Sequence, residues 1–225
     1  MKKWSEEAWD VARPTYLKII EHPFVEELAR GTLAADKFLF YLRQDSLYLA
    51  HYSRVLTHIA SRLTEKEHIA AFIRFMLRNG LSFPRQAVIP PAPHGNERVP
   101  VFGIRRTEDE AVFSIAPWEE SPPPHVSSTC LLLRTPAHAW HEGLLEQDEA
   151  AAGLPCFWVY QQVGRQIIAR QQGSGNPYAQ WIETYADPSF TEATSQAIGI
   201  CDALAEKTGP ETRRRMTDIF LRCTK

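Results

Sequence analysis

Asp45 is a carboxylate set among apolar neighbours. Counting along residues 32–63 places Phe38, Tyr41, Leu42, Tyr48, Leu49, Tyr52 and Leu56 on its own helical face, at offsets of three, four, seven and eleven. A buried charge without a partner costs several kcal/mol, so Asp45 requires a fixed donor, a basic side chain or a ligand. A buried salt bridge or a cap for another helix would satisfy it structurally; a bound molecule would satisfy it chemically. Cys156 is the second reactive candidate, in Leu154-Pro155-Cys156-Phe157-Trp158-Val159-Tyr160. With Pro155 at the first helical position, the thiol lies in the first turn, where unpaired amides and the helix dipole favour thiolate. Tyr160 stands one turn further on the same face, so its hydroxyl could reach a group held by the sulfur. The plain alternative for Cys156 is an inert core side chain, and Cys130, Cys201 and Cys223 are read that way.

Beyond Asn176-Pro177, the residues Tyr178, Ile182 and Tyr185 share a face. Such a stripe serves a core, or, beside an acid and a thiol, a flat polar heterocycle. Other constellations are weaker. His138, His141 and Glu142 could share a helical face without defining a metal site, and Glu65 with His68 is half of a di-iron motif whose second half is absent from the chain. Arg213, Arg214 and Arg215 read as a solvated helix face. There is no glycine-rich phosphate loop and no G-x-S-x-G elbow; separately, since none of these groups defines a metal site, no metal is expected, nor is a cofactor.

These residues need elements to hold them. Apolar residues recur at helical spacing over 5–30 and 32–63, the second run being about eight turns without glycine or proline. Thr64, Glu65, Lys66 and Glu67 have the form of a capping box, predicting a helix from there to about Asn79-Gly80. Residues 84–136 hold ten of the sixteen prolines and no tyrosine, and predict neither helix nor central strand. Helical spacing returns near Ala137, strengthens over 155–172, and resumes after Asn176-Pro177, with Asn176 as cap and Pro177 at the first helical position. Pro188, Ser189, Phe190, Thr191 and Glu192 repeat the capping-box pattern, and Gly209-Pro210 opens a last helix reaching Lys225. An all-α chain with an irregular proline-rich middle is therefore predicted, as one domain over 1–225.

The chain has 225 residues and 25 Lys+Arg against 27 Asp+Glu, a formal net charge of −2, which removes the positive field that nucleic-acid binders use. The charged start and the lack of any long apolar run predict neither export nor a membrane span, and four widely spaced cysteines suit a cytoplasmic protein.

Taken in order, His22-Pro23-Phe24, Gly31-Thr32-Leu33, Tyr41-Leu42-Arg43-Gln44-Asp45 with Tyr48-Leu49, Leu154-Pro155-Cys156 with Trp158 and Tyr160, and Asn176-Pro177-Tyr178 with Trp181, Ile182 and Tyr185 resemble the TenA family of thiaminase II. The resemblance covers about residues 4–75 and 153–225. It implies an all-helical, haem-oxygenase-like up-and-down bundle without haem, assembled as a homotetramer. The Pro155-Cys156 pair resembles the cysteine-containing branch, which hydrolyses aminopyrimidines from degraded thiamine to hydroxymethylpyrimidine and also cleaves thiamine. On that resemblance Cys156 is the nucleophile that adds to the pyrimidine ring, Asp45 the acid on the aminopyrimidine edge, and Tyr48, Tyr160 and Tyr185 hold the ring and the sulfur.

Two departures from the pattern carry their own expectations. Between the matched segments the family has two helices and a tyrosine facing the site; a reading frame shifted between about Met76 and Gly153 and then restored would account for the prolines here, and a genuine segment would leave an open bundle with an exposed apolar groove. The family also ends in a Glu-x-x-Phe-Trp type segment whose glutamate serves as acid/base, and no acidic residue follows Asp218 here. The alternative reading is thus a catalytically impaired pyrimidine-binding or interaction homologue. An oxidase or metal-dependent relative on the same bundle rests on fold analogy alone.

Overall fold

His22-Pro23 splits the first helical run in two. The computed structural model describes residues 2–81, 106–107, 110–111, 146–171 and 175–224. Helix α1 (Trp4–Ile20) ends there, and α2 (Pro23–Arg30) begins with Pro23 at its first position and the His22 ring Nδ1 accepting from the Phe24 amide at 3.2 Å. Gly31 closes α2 with φ 72°, the left-handed conformation that glycine adopts without penalty. Asn176 seals the same helix end from far along the chain, donating from Nδ2 to the carbonyls of Leu28 and Ala29.

The long apolar run forms α3 (Ala35–Arg62), 28 residues and thus about eight turns. The next helix, α4 (Lys66–Leu81), starts later than a capping box at Thr64 predicts. The Thr64 amide and hydroxyl instead meet Glu146 Oε2, at 3.1 and 3.4 Å, because a distant carboxylate supplies the acceptor that the local box would have offered. After a two-residue antiparallel pairing of β1 (Arg106–Thr107) with β2 (Glu110–Ala111), the described chain is again helical. It runs through α5 (Glu146–Arg170), α6 (Ala179–Glu183), a 3-10 turn at Thr184–Ala186, α7 (Pro188–Glu206) and α8 (Pro210–Thr224). The expectations for residues 84–136, for Cys130 and for His138, His141 and Glu142 lie outside the described residues.

Three start signals resolve differently from the sequence reading. Helix α5 carries Glu146, Asp148 and Glu149 in its first turn, so it nucleates well ahead of Pro155, which sits in the helix interior. Asn176 does not cap α6: its Oδ1 accepts from the Tyr178 amide at 2.9 Å and closes a turn over Pro177 and Tyr178, and α6 opens only at Ala179 with Tyr178 in the N-cap position. Asp187, and no Ser189–Glu192 box, caps α7 by accepting from the Ser189 amide at 2.8 Å. Asp202 of α7 serves α1 in the same way, taking the Ser5 amide at 2.8 Å and its hydroxyl at 2.9 Å.

Helix α5 packs against α2, α3, α7 and α8, and two apolar clusters form around it. The larger joins Trp4, Tyr52, Leu56, Phe72, Leu154, Phe157, Cys201, Met216 and Phe220 from α1, α3, α4, α5, α7 and α8. The smaller joins Val25, Leu28, Phe38, Ile167, Tyr178 and Ile182 from α2, α3, α5, α6 and the turn before α6. The arginine run of α8 is less solvated than its composition suggests. Arg215 pairs with the wholly buried Asp148 at 2.7 Å and Arg213 with Glu7 at 3.2 Å, while Arg214 stays exposed. No described helix is long and apolar enough to cross a membrane.

Candidate active site

Between the two clusters, the middle of α3 faces the middle of α5. Asp45 and Tyr48 come from α3, Cys156 and Tyr160 from α5, and Tyr185 from the 3-10 turn that follows α6. All five side chains that the sequence singles out converge here. The Tyr160 hydroxyl donates to Asp45 Oδ1 at 3.5 Å, and Tyr48 is within hydrogen-bonding reach of the Cys156 sulfur.

Asp45 differs from the other buried acids. Asp148 has an arginine and Asp202 a backbone amide and a hydroxyl, whereas no ion pair among the described residues involves Asp45. Burial therefore dominates and pushes its carboxyl up to about 6, with the Tyr160 hydrogen bond opposing that rise. Such an acid is divided between its two protonation states near neutral pH, which suits proton exchange with a ligand.

Cys156 does not lie at a helix start. With Pro155 inside α5, the thiol sits well beyond the first turn, so the dipole and unpaired amides expected to favour thiolate are not beside it. Its surroundings are tyrosine hydroxyls. Tyr48 and Tyr52 stack at a ring distance of 5.4 Å and both reach the sulfur. Tyr52 gives its single proton to the Gly153 carbonyl at 2.7 Å, so towards the sulfur it presents lone pairs, while the Tyr48 proton remains able to point at Sγ. Burial pushes the hydroxyls of Tyr41, Tyr48, Tyr52, Tyr160 and Tyr185 well above the usual phenol range, so all are proton carriers and hydrogen-bond donors, not anions.

Three contributors escape a reading of the motifs. Tyr41 packs its ring against Phe24 at 5.2 Å and Trp181 at 5.6 Å, beside Tyr160 and Tyr185. Tyr52 anchors the backbone three residues before the thiol. Gly164 allows Tyr185 to lie across α5: a Cβ at that position would stand 2.5 Å from the Tyr185 Cβ and ring. Tyr52 is visible beforehand only as a member of the Asp45 face, Tyr41 also as the first residue of the motif that ends at Asp45, neither with a role assigned, and Gly164 gives no signal until the turn carrying Tyr185 is placed. The stripe of Tyr178, Ile182 and Tyr185 divides, because Tyr178 is buried in the smaller cluster with its hydroxyl on the Leu33 carbonyl at 2.6 Å. Cys201 and Cys223 are buried core side chains, and burial pushes the Cys201 thiol well above its ordinary range.

An all-α bundle with a thiol, an acid and several tyrosines between its two longest described helices defines the class, a haem-oxygenase-like helical fold. The TENA/THI-4/PQQC family model matches residues 9–77 and 138–225, and the chain belongs to that family. The aminopyrimidine aminohydrolase of Bacillus subtilis is 28% identical over 221 residues, covering 97% of this chain and 84% of that protein. That of Halalkalibacterium halodurans is 27% identical, covering 95% and 87%. The thiamine biosynthesis multifunctional protein ThiED of Corynebacterium efficiens is 27% identical over 95% of this chain, which spans about a quarter (26%) of that longer protein. Among solved structures, a TenA homologue from Pyrococcus furiosus superposes with a TM-score of 0.73 at 16% identity, covering 99% of this chain and 95% of that one. One from P. horikoshii gives 0.69 at 20%, covering 99% and 93%. At these identities the two structures speak for the fold.

Proposed function

We propose that this chain is a thiamine-salvage hydrolase acting on carbon–nitrogen bonds, converting aminomethylpyrimidine, and thiamine itself, to hydroxymethylpyrimidine. The observation that carries the reading is that Cys156 and Asp45 come together among tyrosines between α3 and α5, with the Tyr160 hydroxyl on Asp45 and close to Cys156. The names of the Bacillus subtilis and Halalkalibacterium halodurans relatives support the same reaction class.

In this reading the Cys156 sulfur, once its proton has left, bonds to a ring carbon of the pyrimidine. The ring's electron pair moves onto a ring nitrogen, where a proton or hydrogen bond meets it. That pair then returns to expel the amine from the exocyclic methylene, water adds to the methylene carbon, and the sulfur departs with its bonding pair. The net change replaces the amine by hydroxyl and releases ammonia; with thiamine the leaving group is the thiazole. Asp45 binds the aminopyrimidine edge, Tyr48 donates to the sulfur, and Tyr160 and Tyr185 hold the ring. No cofactor enters. On the family resemblance the protein works as a homotetramer in the cytoplasm, which size-exclusion chromatography with light scattering would check for the assembly.

The test is mass-spectrometric detection of hydroxymethylpyrimidine after incubation with aminomethylpyrimidine or thiamine. Product from wild type that disappears with Cys156→Ala supports the hydrolase. Tight pyrimidine binding without Cys156-dependent product from folded protein would replace it with a binding homologue.

A further inference from the structure

Pro155 stands inside α5, and a proline has no amide to give the Ala151 carbonyl four residues back, so the helix lacks one ladder bond just ahead of Cys156. Over the same stretch α5 lies close to α3: a Cβ on Gly153 would stand 3.0 Å from Ile59 Cδ1. The wholly buried Tyr52 of α3 ties the two helices together there, its hydroxyl donating to the Gly153 carbonyl at 2.7 Å. Its ring is stacked on Tyr48 at 5.4 Å with the planes 15° apart, and is tilted against Phe157 at 5.9 Å, so packing as well as the hydrogen bond fixes the hydroxyl.

That position is beside the sulfur. Side chains on a helix point back towards its N-terminus, and a γ atom reaches the carbonyl three or four residues earlier. For Cys156 the carbonyl three residues earlier is that of Gly153, the one that Tyr52 bonds. A carbonyl oxygen has two lone pairs; in the helical ladder the Phe157 amide takes one, and Tyr52 takes the other. A carbonyl only accepts, so the single proton of Tyr52 is committed and its oxygen offers the sulfur nothing but lone pairs. A thiol can donate to that oxygen, whereas a thiolate would meet it lone pair to lone pair.

We propose that Tyr52 is a positioning residue that keeps the resting Cys156 a neutral thiol, its oxygen accepting from the thiol hydrogen because its own proton is held by Gly153. In the empty site the sulfur is then poorly reactive towards electrophiles and oxidants, since the thiolate is the reactive form. The inference rests on the hydrolase reading for what the sulfur attacks, and in that reading Tyr48 is the donor that meets the sulfur once its proton has left. The titratable groups facing Cys156 are Tyr48 and Tyr52 from α3, Tyr160 from α5 itself and Tyr185 from the 3-10 turn, with Cys201 of α7 and Cys223 of α8 behind Tyr52 and Asp45 beyond Tyr160.

The test uses no substrate. Alkylation by iodoacetamide is followed against pH at the Cys156 peptide by mass spectrometry, in wild type, Tyr52→Phe and Tyr178→Phe, the last losing a comparable bond to a carbonyl in the other cluster. Tyr52→Phe should lower the midpoint of alkylation by about 0.5 pH unit or more, read below the midpoint as a rate about 3-fold faster at fixed pH, with Tyr178→Phe unmoved. A merely structural loosening would raise the rate at every pH without shifting the midpoint, and that result, an unmoved midpoint or an upward shift overturns the proposal. In wild type, which needs no variant of Tyr52 to fold, the ultraviolet absorbance of thiolate, taken as the difference from Cys156→Ala, should be absent at pH 7; its presence there also overturns the proposal. Product formation from aminomethylpyrimidine is scored separately. Product together with an unmoved midpoint leaves the hydrolase standing without this role for Tyr52, and a shifted midpoint without product removes the hydrolase and keeps the role.

Discussion

The sulfur end and the carboxylate end of the cleft use the same residue type for opposite purposes. Around Cys156 the backing is the larger apolar cluster, and Tyr52 is tied to a backbone carbonyl that cannot move without α5. Around Asp45 the backing is the smaller cluster, and the Tyr160 hydroxyl is turned to the carboxylate itself, at 3.5 Å. A hydroxyl bonded to a carbonyl has only one direction to give its proton, whereas a hydroxyl beside a carboxyl group can donate to it when it is ionised and accept from it when it is protonated. The first arrangement fixes a nucleophile in place; the second leaves an acid free to change charge without leaving a buried group unsatisfied.

Removing the sulfur breaks that contrast most severely. Cys156→Ala should lower kcat for hydroxymethylpyrimidine formation by at least about 10³-fold, because no other described group in the cleft can form the covalent bond. Steady-state assays with mass-spectrometric product detection read this directly.

Asp45 predicts a pH signature in stability. Its carboxyl is raised on folding, so its contribution is fully present below about pH 4, in the ordinary carboxylate range, and is lost as pH rises to about 6. Asp45→Asn should therefore be more stable than wild type at pH 7.5 by on the order of 2 kcal/mol relative to the same comparison at pH 4. Urea denaturation of both proteins at the two pH values measures the difference, while the variant's activity falls.

Gly164→Ala sharpens the comparison by disturbing only the carboxylate end. Alanine ordinarily helps a helix by about 1 kcal/mol over glycine, but here its Cβ would meet the Tyr185 ring at 2.5 Å. The expected outcome is a fall of about 10-fold or more in kcat/KM with the rate of Cys156 alkylation by iodoacetamide unchanged. The smallest effect belongs to Tyr52→Phe and Tyr178→Phe, each of which loses one buried hydroxyl-to-carbonyl bond, at 2.7 and 2.6 Å, at a cost of about 1 kcal/mol in urea denaturation. Only Tyr52→Phe should change the pH dependence of Cys156 alkylation, since Tyr178 lies in the other cluster.

Much of this organisation is legible in one dimension. The stripe of apolar residues around Asp45 predicts both the eight-turn helix and the face it buries, because the 3.6-residue period is a local property of the backbone. Five ordered motifs predict the family, and the site residues they name do meet. The misplaced features share a cause. Thr64, Ser189 and Pro155 all carry local signals for a helix start, and in each case a neighbour or a distant residue offers a better one: Glu146 to Thr64, Asp187 to α7, and the acidic first turn to α5. Arg213 and Arg215 look solvated until Glu7 and Asp148 arrive from other helices.

By itself, then, the order of residues determined the helical class, the acid on an apolar face, and the set of side chains available for chemistry, since period and residue type need no partner to be read. Tertiary structure alone decided that Asp45 meets a tyrosine hydroxyl and, among the described residues, no cation, that Tyr52 spends its proton on Gly153, and that Gly164 makes room for Tyr185. These are contacts between α3, α5 and the turn after α6, separated by more than a hundred residues of chain in the case of Tyr160 and Asp45, and the protonation state of a buried group depends on what packs around it and not on its place in the sequence.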